Sequence, residues 1–448
     1  MNLVAYSIKT KGTHNFVRRL HTVFTRFGFT EARIRYALHT IIDTTRTYDG
    51  APTFFIPAVV LARHPELIDK IARDGTEIGV HGYVHNDYRT LNKEQQLQQT
   101  RKAISIFKHV EIPYSGFRNP YLGWTRESLE VFADLGFHYE SNIAILHDVV
   151  DQEAFTPLIR SGFTRSLKLF QAIPCSTYAL RPHFEGELLR IPTSIPDDEM
   201  LFDRLRITDP QEVGNIWSKV MQRVYDRGGL YALNLHPERG VLCQQALETL
   251  LVYAHGRQLP VWVTRIGDVA QWWKERSLFR FSITPLGDHR WQVEERSSPR
   301  ATILARNLVI EDRPTTPWYG MDVRVQSQAG AFIVKSPLCP CIAISQQTPE
   351  QVETFLYEQG YAVMSCLQKE AHLYPLYIDR PEGLGATSEE QTASKIALVE
   401  QIEALELPLL HFGCWPDGNR AALCISGDID SITVQDFFLR IVEVFRHK

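Results

Sequence analysis

Short apolar runs and amphipathic stretches alternate along the first part of the chain. Runs such as TFFI at 53–56 and LYALN at 230–234 are bounded by glycine or proline and predict buried strands. Between such runs, apolar residues recur at helical spacing, as at 66–73, 92–108 and 125–135. Because strands and helices alternate and polar residues follow the strand carboxyl ends, this pattern predicts a parallel α/β barrel.

The pattern also predicts elements at the amino end, and it changes after residue 273. Residues 3–8 are predicted to form a first strand, and residues 15–27 and 30–45 two helices. Short alternating runs from 279 to about 344, separated by turn residues, predict a small antiparallel β domain. Alternating strand and helix patterns return after that domain. We therefore expect three parts: a barrel over 1–278, a β-rich domain over 279–345 and an α/β segment over 346–448.

Composition narrows the class of protein. The chain has 448 residues, a net charge of −4 and no long basic run, so no nucleic-acid surface is expected. No apolar stretch is long enough to cross a membrane, and the amino-terminal residues lack the apolar region of a secretory signal. The seven cysteines are scattered, as in a reduced protein. These observations predict a soluble, cytoplasmic protein.

Candidate chemistry lies where the strand predicted at 76–80 ends. His81 comes directly after this strand, and His85 follows four residues later. Two imidazoles at this spacing can converge on one divalent metal ion, although such pairs are more often structural. Further along the chain, Pro120 stiffens a loop next to Arg118, whose guanidinium could orient a carboxylate.

The order of these features resembles that of the polysaccharide deacetylase family (NodB-like, carbohydrate esterase family 4). In that family one strand carries H-x-x-x-H, here His81 and His85, and the loop of the next carries R-x-P-Y, here Arg118 to Tyr121. The similarity extends from residue 2 to about residue 273. It implies a distorted (β/α)7 barrel in this part of the chain and a hydrolytic enzyme.

An acidic pair near the carboxyl end resembles the first motif of the same family. An apolar strand predicted at 421–425 leads to Asp428 and Asp430, and a predicted helix follows. In the family this motif ends the first barrel strand, but the strand predicted at 3–8 carries Ser7 and no acid. Three hypotheses remain open. A circular permutation brings the acidic pair to the two histidines, or the metal site has degenerated, or the acidic loop is unrelated to the barrel.

The resemblance implies specific roles for these residues if the acidic pair reaches the histidines. Asp430, His81 and His85 would hold a divalent metal ion. We expect this ion to be zinc, with cobalt, manganese, nickel or iron as alternatives. Asp428 would act as the general base, and Arg118 would hold Asp428 in place.

The resemblance also implies residues for proton transfer and substrate contact. His236, in the sequence L-H-P after the strand at 230–234, matches the general acid of the family. Asp197 and Asp198 would tune His236 or line the substrate groove, or they precede and cap a short helix. The backbone N–H of Tyr121 would help to stabilise an oxyanion. The residues assigned to substrate binding are Pro120, Tyr121, Trp124 and Asp198, with Tyr83 as a further candidate for stacking on a sugar.

The predicted function is metal-dependent hydrolysis that removes an N-acetyl or other acyl group from an amino sugar or carbohydrate. A cytoplasmic location would favour a sugar precursor as the substrate. Two alternatives remain open. One is a degenerate barrel that serves as a carbohydrate-binding or scaffold protein, and the other is an amidohydrolase that acts on a non-sugar amide.

Overall fold

A twelve-stranded sheet forms the centre of the protein. The computed structural model describes residue 24 and residues 26–178, 181–328 and 330–446. Neighbouring strands are parallel except for the hairpin at the end of the spatial order. In that order the strands are Ile173–Pro174, Ala144–Leu146, Thr193–Ile195, Leu230–Leu235, Ala421–Asp428, Thr53–Ile56, Glu77–Val80, Gly116–Phe117, Tyr139–Glu140, Leu188–Arg190 and His183–Glu185, with Val261–Val263 also paired to Ala421–Asp428.

Each face of the sheet packs against its own apolar layer, because successive side chains of a strand point to opposite faces. In Ala421–Asp428, Leu423 and Ile425 lie in the layer shared with the helices, and Ala422 and Cys424 lie in the inner layer. The inner layer also contains Tyr139, which comes from a strand distant in the sheet order. Distant strands thus share one inner core, so the sheet is curled as in a barrel. The predicted fold class is confirmed.

The helices between residues 32 and 255 contribute to the outer apolar layer, and Ile266–Arg276 contributes to the inner layer. Glu350–Glu358 and Ser388–Glu403 pack in a separate apolar cluster. Asn92 and Gln95 form a capping box, and Asp209 caps a helix with Pro210 at its first turn. Among the described residues, no helix is long and apolar enough to cross a bilayer. The helices are Ala32–Arg46, Ala58–Arg63, Pro65–Arg73, Lys93–His109, Arg126–Asp134, Pro157–Leu169, Pro210–Arg227, Gly240–His255, Ile266–Arg276, Glu350–Glu358, Ser388–Glu403 and Val434–Arg446.

The Ala421–Asp428 strand occupies the place where the first strand of the barrel is expected. It pairs in parallel with Thr53–Ile56 on one side and with Leu230–Leu235 on the other. Gly427 permits this close pairing, because a Cβ atom there would lie 2.7 Å from a carbonyl oxygen of the neighbouring strand. The amino-terminal strand predicted from the sequence and most of the helix after it lie outside the described residues. A unit from the carboxyl end of the chain therefore sits beside the Thr53–Ile56 strand.

Three smaller sheets are formed by the chain between Val261–Val263 and Ala421–Asp428. Two are antiparallel and four-stranded, and the third is parallel and three-stranded. The first antiparallel sheet contains Arg280–Gly287, Arg290–Arg296, Val309–Ile310 and Phe332–Lys335. The second contains Ile303–Arg306, Thr315–Pro317, Asp322–Val325 and Leu409–Phe412, and the parallel sheet contains Ile342–Ser345, Val363–Cys366 and Leu376–Ile378. The domain limits expected near residues 278 and 345 stay a prediction.

A buried arginine joins the barrel to the returning carboxyl-terminal chain. Arg276 ends the helix Ile266–Arg276 and is fully buried. Its guanidinium donates hydrogen bonds to the carbonyl oxygens of Glu358, Gln359 and Gly413. These carbonyl groups satisfy a cation that would be costly to bury without partners. The contact holds the chain just before it re-enters the central sheet as Ala421–Asp428.

A histidine between two carboxylates fastens the final helix, Val434–Arg446, to the barrel. Nδ1 of His64 lies 2.8 Å from Glu31, and Nε2 lies 2.8 Å from Asp436. Burial opposes protonation, but the hydrogen bonds and charges of the two carboxylates raise the pKa of His64 above its ordinary value. A raised pKa in the folded state stabilises the fold fully below the unfolded-state pKa, and this stabilisation disappears as the pH rises through the folded-state pKa.

We therefore expect His64→Gln to lower the free energy of unfolding by about 1 kcal/mol at about pH 5.5, a modest value because the cluster is partly exposed and screened. At about pH 9 the substitution should have a smaller effect, since the native histidine loses its proton as the pH rises through its folded-state pKa. Urea unfolding at both pH values measures the difference. His109→Gln, at an exposed helix end, is the control. An equal loss for His64→Gln at both pH values would show that packing, not charge, is responsible.

Candidate active site

The Glu77–Val80 strand ends at the carboxyl edge of the sheet and places His81 there. Nδ1 of His81 donates a hydrogen bond of 2.7 Å to the backbone carbonyl oxygen of Arg118. This contact fixes the ring, and in a neutral imidazole that donates through Nδ1 the lone pair on Nε2 is the one that can bind a metal ion. Gly82 (φ 82°) turns the chain, and the rings of His81 and His85 have centroids 5.3 Å apart.

The acidic loop after Ala421–Asp428 reaches these two rings. Oδ1 of Asp430 lies 3.2 Å from Nε2 of His85 and 3.5 Å from Nε2 of His81. A tetrahedral zinc ion with nitrogen and oxygen ligands at about 2.0–2.1 Å requires ligand atoms about 3.3–3.4 Å apart. The spacing of these atoms therefore fits a zinc-type ligand set.

The electrostatics of the cluster also fit a divalent cation. Oδ1 of Asp430 is buried and has no hydrogen-bond partner among the described residues, whereas Oδ2 accepts a hydrogen bond of 2.7 Å from Arg440. Burial opposes ionisation, but the neighbouring His85 and the charged Arg440 hold the pKa of Asp430 well below its ordinary value. Burial lowers the pKa of His85 in spite of the nearby Asp430. A neutral imidazole and an ionised carboxylate are suitable ligands for zinc and for other first-row divalent metals.

A second carboxylate, Asp428, lies beside this cluster. Its Oδ1 accepts a hydrogen bond of 3.3 Å from Nη1 of Arg118, and its Oδ2 accepts one of 3.0 Å from Nδ2 of Asn234. Arg118 is fully buried, with its guanidinium 4.3 Å from the ring centroid of Phe55, and it donates a further hydrogen bond to Oδ1 of Asn234. Arg118 and Asn234 thus hold Asp428 in one orientation, two residues before Asp430.

His236 follows the Leu230–Leu235 strand and is paired with Asp198. Nδ1 of His236 lies 2.7 Å from Oδ1 of Asp198, and the backbone N–H of His236 donates a hydrogen bond of 2.8 Å to Oδ2. Burial alone would lower the pKa of His236, but the charge and hydrogen bond of Asp198 raise it well above its ordinary value. Asp198 therefore favours the protonated imidazole, and Nε2 has no contact closer than the carboxylate of Glu199, 4.0 Å away, among the described residues.

Asp197 lies next to this pair but makes a different hydrogen bond. Oδ1 of Asp197 accepts a hydrogen bond of 2.7 Å from the backbone N–H of Met200. Burial and the neighbouring Asp198 raise the pKa of Asp197 to about 7. The ligand atoms of Asp197, Asp198 and His236 are close enough to surround an ion. Both oxygens of Asp198 already accept hydrogen bonds from His236. We therefore interpret these residues as a histidine held in place by a carboxylate and not as a metal site.

Residues 35–139 match the family model for polysaccharide deacetylases. The chain is 22% identical over 242 residues to a peptidoglycan deacetylase of Helicobacter pylori, and the alignment covers 50% of this chain and 79% of that relative. A probable polysaccharide deacetylase from Pseudomonas aeruginosa PAO1 is similar in structure, with a TM-score of 0.41, 20% identity and coverage of 53% of this chain and 72% of that one. An allantoinase is also similar in structure, with a TM-score of 0.41 and 19% identity, and the alignment covers 53% of this chain and 72% of that one.

The predicted resemblance to polysaccharide deacetylases is confirmed. The segment that matches the deacetylase model contains His81, His85 and Arg118. It ends before His236 and far before the acidic pair. In this deacetylase-like protein, the geometry of the candidate site therefore combines the matched segment with side chains that the match does not include.

The residues assigned to substrate binding differ in their surroundings. Tyr121 is 41% exposed and packs edge-on against His85, with ring centroids 4.7 Å apart, and Pro120 is buried beside it. Trp124 is partly buried, with the guanidinium of Arg190 3.9 Å from its ring centroid. Asp198 is fully buried beneath His236, so any effect on the substrate would pass through His236. Tyr121 is thus the residue of this group with a ring exposed beside the candidate metal-ligand cluster of His81, His85 and Asp430.

Two residues of the site are not apparent from the sequence. Asn234 lies in an apolar run and reads as part of a buried strand. Ala232, two residues earlier on the same face of the strand, lies in the inner layer, so Asn234 also points inwards. Arg440 lies on the helix Val434–Arg446, and its contact with Asp430 depends on how that helix packs. No short motif signals either residue.

Proposed function

We propose that this protein is a metal-dependent hydrolase that removes an N-acetyl group from an amino sugar of a carbohydrate. The observation that carries the proposal is the convergence of Asp430 with His81 and His85, with Asp428 alongside. The similarity to polysaccharide deacetylases, one of them a peptidoglycan deacetylase, supports an N-acetylated glycan as the substrate class. The cytoplasmic location expected from the sequence stays a prediction.

The ligand cluster and Asp428 divide the first step between them. A divalent metal ion, when held by His81, His85 and Asp430, supplies a Lewis acid that polarises the amide carbonyl and lowers the pKa of water. Asp428 takes a proton from the attacking water as general base. Arg118 orients the Asp428 carboxylate for this transfer, because their hydrogen bond joins two buried groups.

His236 and Tyr121 complete the proposed reaction. Protonated His236 donates a proton to the leaving amine as general acid, and Asp198 maintains this protonation state. The backbone N–H of Tyr121 contributes to oxyanion stabilisation. Tyr121 adopts left-handed backbone (φ 60°), which is uncommon for a residue with a side chain and is typical of functional loops.

Acetate release from oligomers of N-acetylglucosamine tests this proposal. The zinc-loaded protein should release acetate, lose this activity after treatment with a chelator and regain it when zinc is restored. A protein that binds zinc stoichiometrically but releases no acetate from any N-acetylated glycan would contradict the proposed substrate class. Activity that persists without metal would contradict the proposed role of the ligand cluster. A degenerate, carbohydrate-binding barrel would bind the oligomer without stoichiometric metal.

The pH dependence of the reaction tests the role of Asp198. Removing its negative charge in Asp198→Asn should lower the pKa of His236, because Asp198 is what raises it. The protonated form is then lost at lower pH, so the alkaline limb of the kcat/KM profile should move to lower pH. At neutral pH the rate should fall by about 10²-fold or more. Asp209→Asn, at an exposed helix cap, should leave the profile unchanged. An unshifted alkaline limb in Asp198→Asn would contradict the assignment of His236 as the acid.

A further inference from the structure

A cleft separate from the candidate active site lies where the barrel meets the carboxyl-terminal chain. The end of the helix Pro210–Arg227, strands of the second antiparallel sheet and the helix Ser388–Glu403 contribute to its walls. The cavity has a volume of about 410 Å³, within the range of small-molecule sites. None of its lining residues belongs to the metal-ligand cluster or to the His236 pair. We call it the arginine cleft, lined among others by Arg181, Arg306, Tyr319, Gln359, Cys414 and Arg420.

Two arginines of the cleft have hydrogen-bonding capacity left over. Arg181 is only 7% exposed, and its buried Nε has no hydrogen-bond partner. The buried Nε of Arg420 also has none, while Nη2 donates to the carbonyl oxygen of Asp226 and the guanidinium stacks 4.1 Å from the ring centroid of Tyr319. Burial and the neighbouring Arg181 lower the pKa of Arg420. Among the described residues, no carboxylate lies within 4.0 Å of the Arg420 guanidinium.

A third guanidinium, that of Arg276, adds positive charge next to the cleft without lining it. Arg276 is fully buried, and the hydrogen bonds described above go to neutral backbone carbonyl groups. Its Nη2 lies 4.0 Å from Sγ of Cys414, which lines the cleft. Burial lowers the pKa of Arg276, and nearby Arg181 lowers it further. Three guanidinium groups thus surround one end of the cleft near Cys414.

The acidic groups of the cleft are largely engaged by side chains other than Arg420. Asp322 accepts hydrogen bonds from Arg306 and lies 3.2 Å from Nε2 of His411. Glu403 accepts hydrogen bonds from Arg306 and Tyr361 and only a long one, 3.5 Å, from Arg181. The remaining acids that line the cleft are Asp226, whose carboxylate accepts from Tyr319 and Gln222, and Glu400, which is exposed. The charge of Arg420 is therefore not paired within the described protein.

We propose that the arginine cleft binds a small molecule with an oxyanionic group and a hydroxyl group, such as a sugar phosphate or a sugar acid. The oxyanion would accept hydrogen bonds from Arg181 and Arg420, in the way that guanidinium groups recognise phosphate and carboxylate. The buried Oε1 of Gln359 lines the cleft without a donor, and the ligand hydroxyl would supply one.

Alkylation of Cys414 in the full-length protein tests this proposal, because the half-buried thiol lines the cleft. Peptide mass spectrometry measures its rate of reaction with anionic iodoacetate and with neutral iodoacetamide. The ratio of the two rates, normalised to that of N-acetylcysteine in solution, should be about tenfold higher at Cys414, because the guanidinium groups of Arg181, Arg276 and Arg420 near this thiol attract an anionic reagent. Glucose 6-phosphate or glucuronate should slow the reaction of Cys414 saturably, and glucose at the same ionic strength should not. Protection by one of the two acids only would identify the oxyanion as phosphate or carboxylate.

The variant Arg420→Gln should bring the normalised ratio close to one and abolish protection. Arg300→Gln is the matched control, because Arg300 is exposed, pairs with Asp417 and does not line the cleft. Far-ultraviolet circular dichroism verifies that both variants are folded. A normalised ratio near one in the native protein, without protection by either acid, would overturn the proposal. So would unchanged protection in Arg420→Gln. Binding at the catalytic cluster does not register in this assay, because the signal comes from Cys414 alone.

Discussion

Asp430→Asn is expected to weaken zinc binding by more than about 100-fold and to abolish deacetylation. Loss of a residue that merely orients a metal ligand typically costs 10–100-fold in affinity, and the loss of a charged ligand should cost more. Oδ1 of Asp430 faces Nε2 of both His81 and His85, and nothing else among the described residues satisfies this oxygen. An amide keeps the shape of the side chain but removes its charge.

Competition titration with a chelating dye measures the zinc affinity, and acetate release measures the activity. Asp69→Asn is the matched control, because Asp69 is a partly exposed carboxylate that pairs with Arg73 on the same helix. It should change neither quantity. If Asp430→Asn retained stoichiometric zinc with native affinity, the acidic loop would not be part of a metal site, and the proposed mechanism would fail at its first step.

Asp428→Asn is expected to separate binding from chemistry. The variant should bind zinc with nearly native affinity, because the carboxylate of Asp428 is directed at Arg118 and Asn234. Its rate of acetate release should fall by about 10²–10⁴-fold, the typical contribution of a general base. Zinc titration and steady-state kinetics on the same preparation test both parts of this prediction.

Comparing Asp428→Asn with Asp430→Asn is a sharper test than either variant alone, because only one residue separates the two positions. Loss of activity in both, with loss of zinc only in Asp430→Asn, would support the two assigned roles. Asn234→Gln would show whether orientation matters, since the longer amide cannot keep its hydrogen bonds to both Arg118 and Asp428. Native activity in Asp428→Asn would contradict its role as base.

Local patterns in the sequence were sufficient to predict the outline of the fold and the part of the candidate site formed by His81, His85 and Arg118. Apolar runs bounded by glycine and proline, helix caps and the alternation of strand with helix depend on neighbouring residues, so they can be read along the chain. The same holds for His81, His85 and Arg118, because one strand end and the loop of the next carry them. A resemblance to polysaccharide deacetylases followed from these motifs alone.

The local pattern could not predict whether the carboxylates near the carboxyl end reach the two histidines. Three hypotheses for Asp428 and Asp430 remained open, because strand pairing between residues hundreds of positions apart leaves no local periodicity. The tertiary structure places the Ala421–Asp428 strand next to Thr53–Ile56, and only this pairing carries the acidic loop to the histidines. This arrangement favours the permutation hypothesis over an acidic loop unrelated to the barrel, and metal binding by the assembled residues stays a prediction.

The sequence by itself determined which elements form and which side chains are able to bind metal or transfer protons. Only the tertiary structure decided which of them meet. Asn234 looks like a strand residue until the curl of the sheet turns it towards Asp428, and Arg440 has no signal until its helix packs beside Asp430. The guanidinium groups of the arginine cleft come from segments far apart in the sequence and share one cavity only after folding. Propensity and capping act within a few residues, whereas burial and charge act between surfaces that exist only in the folded chain.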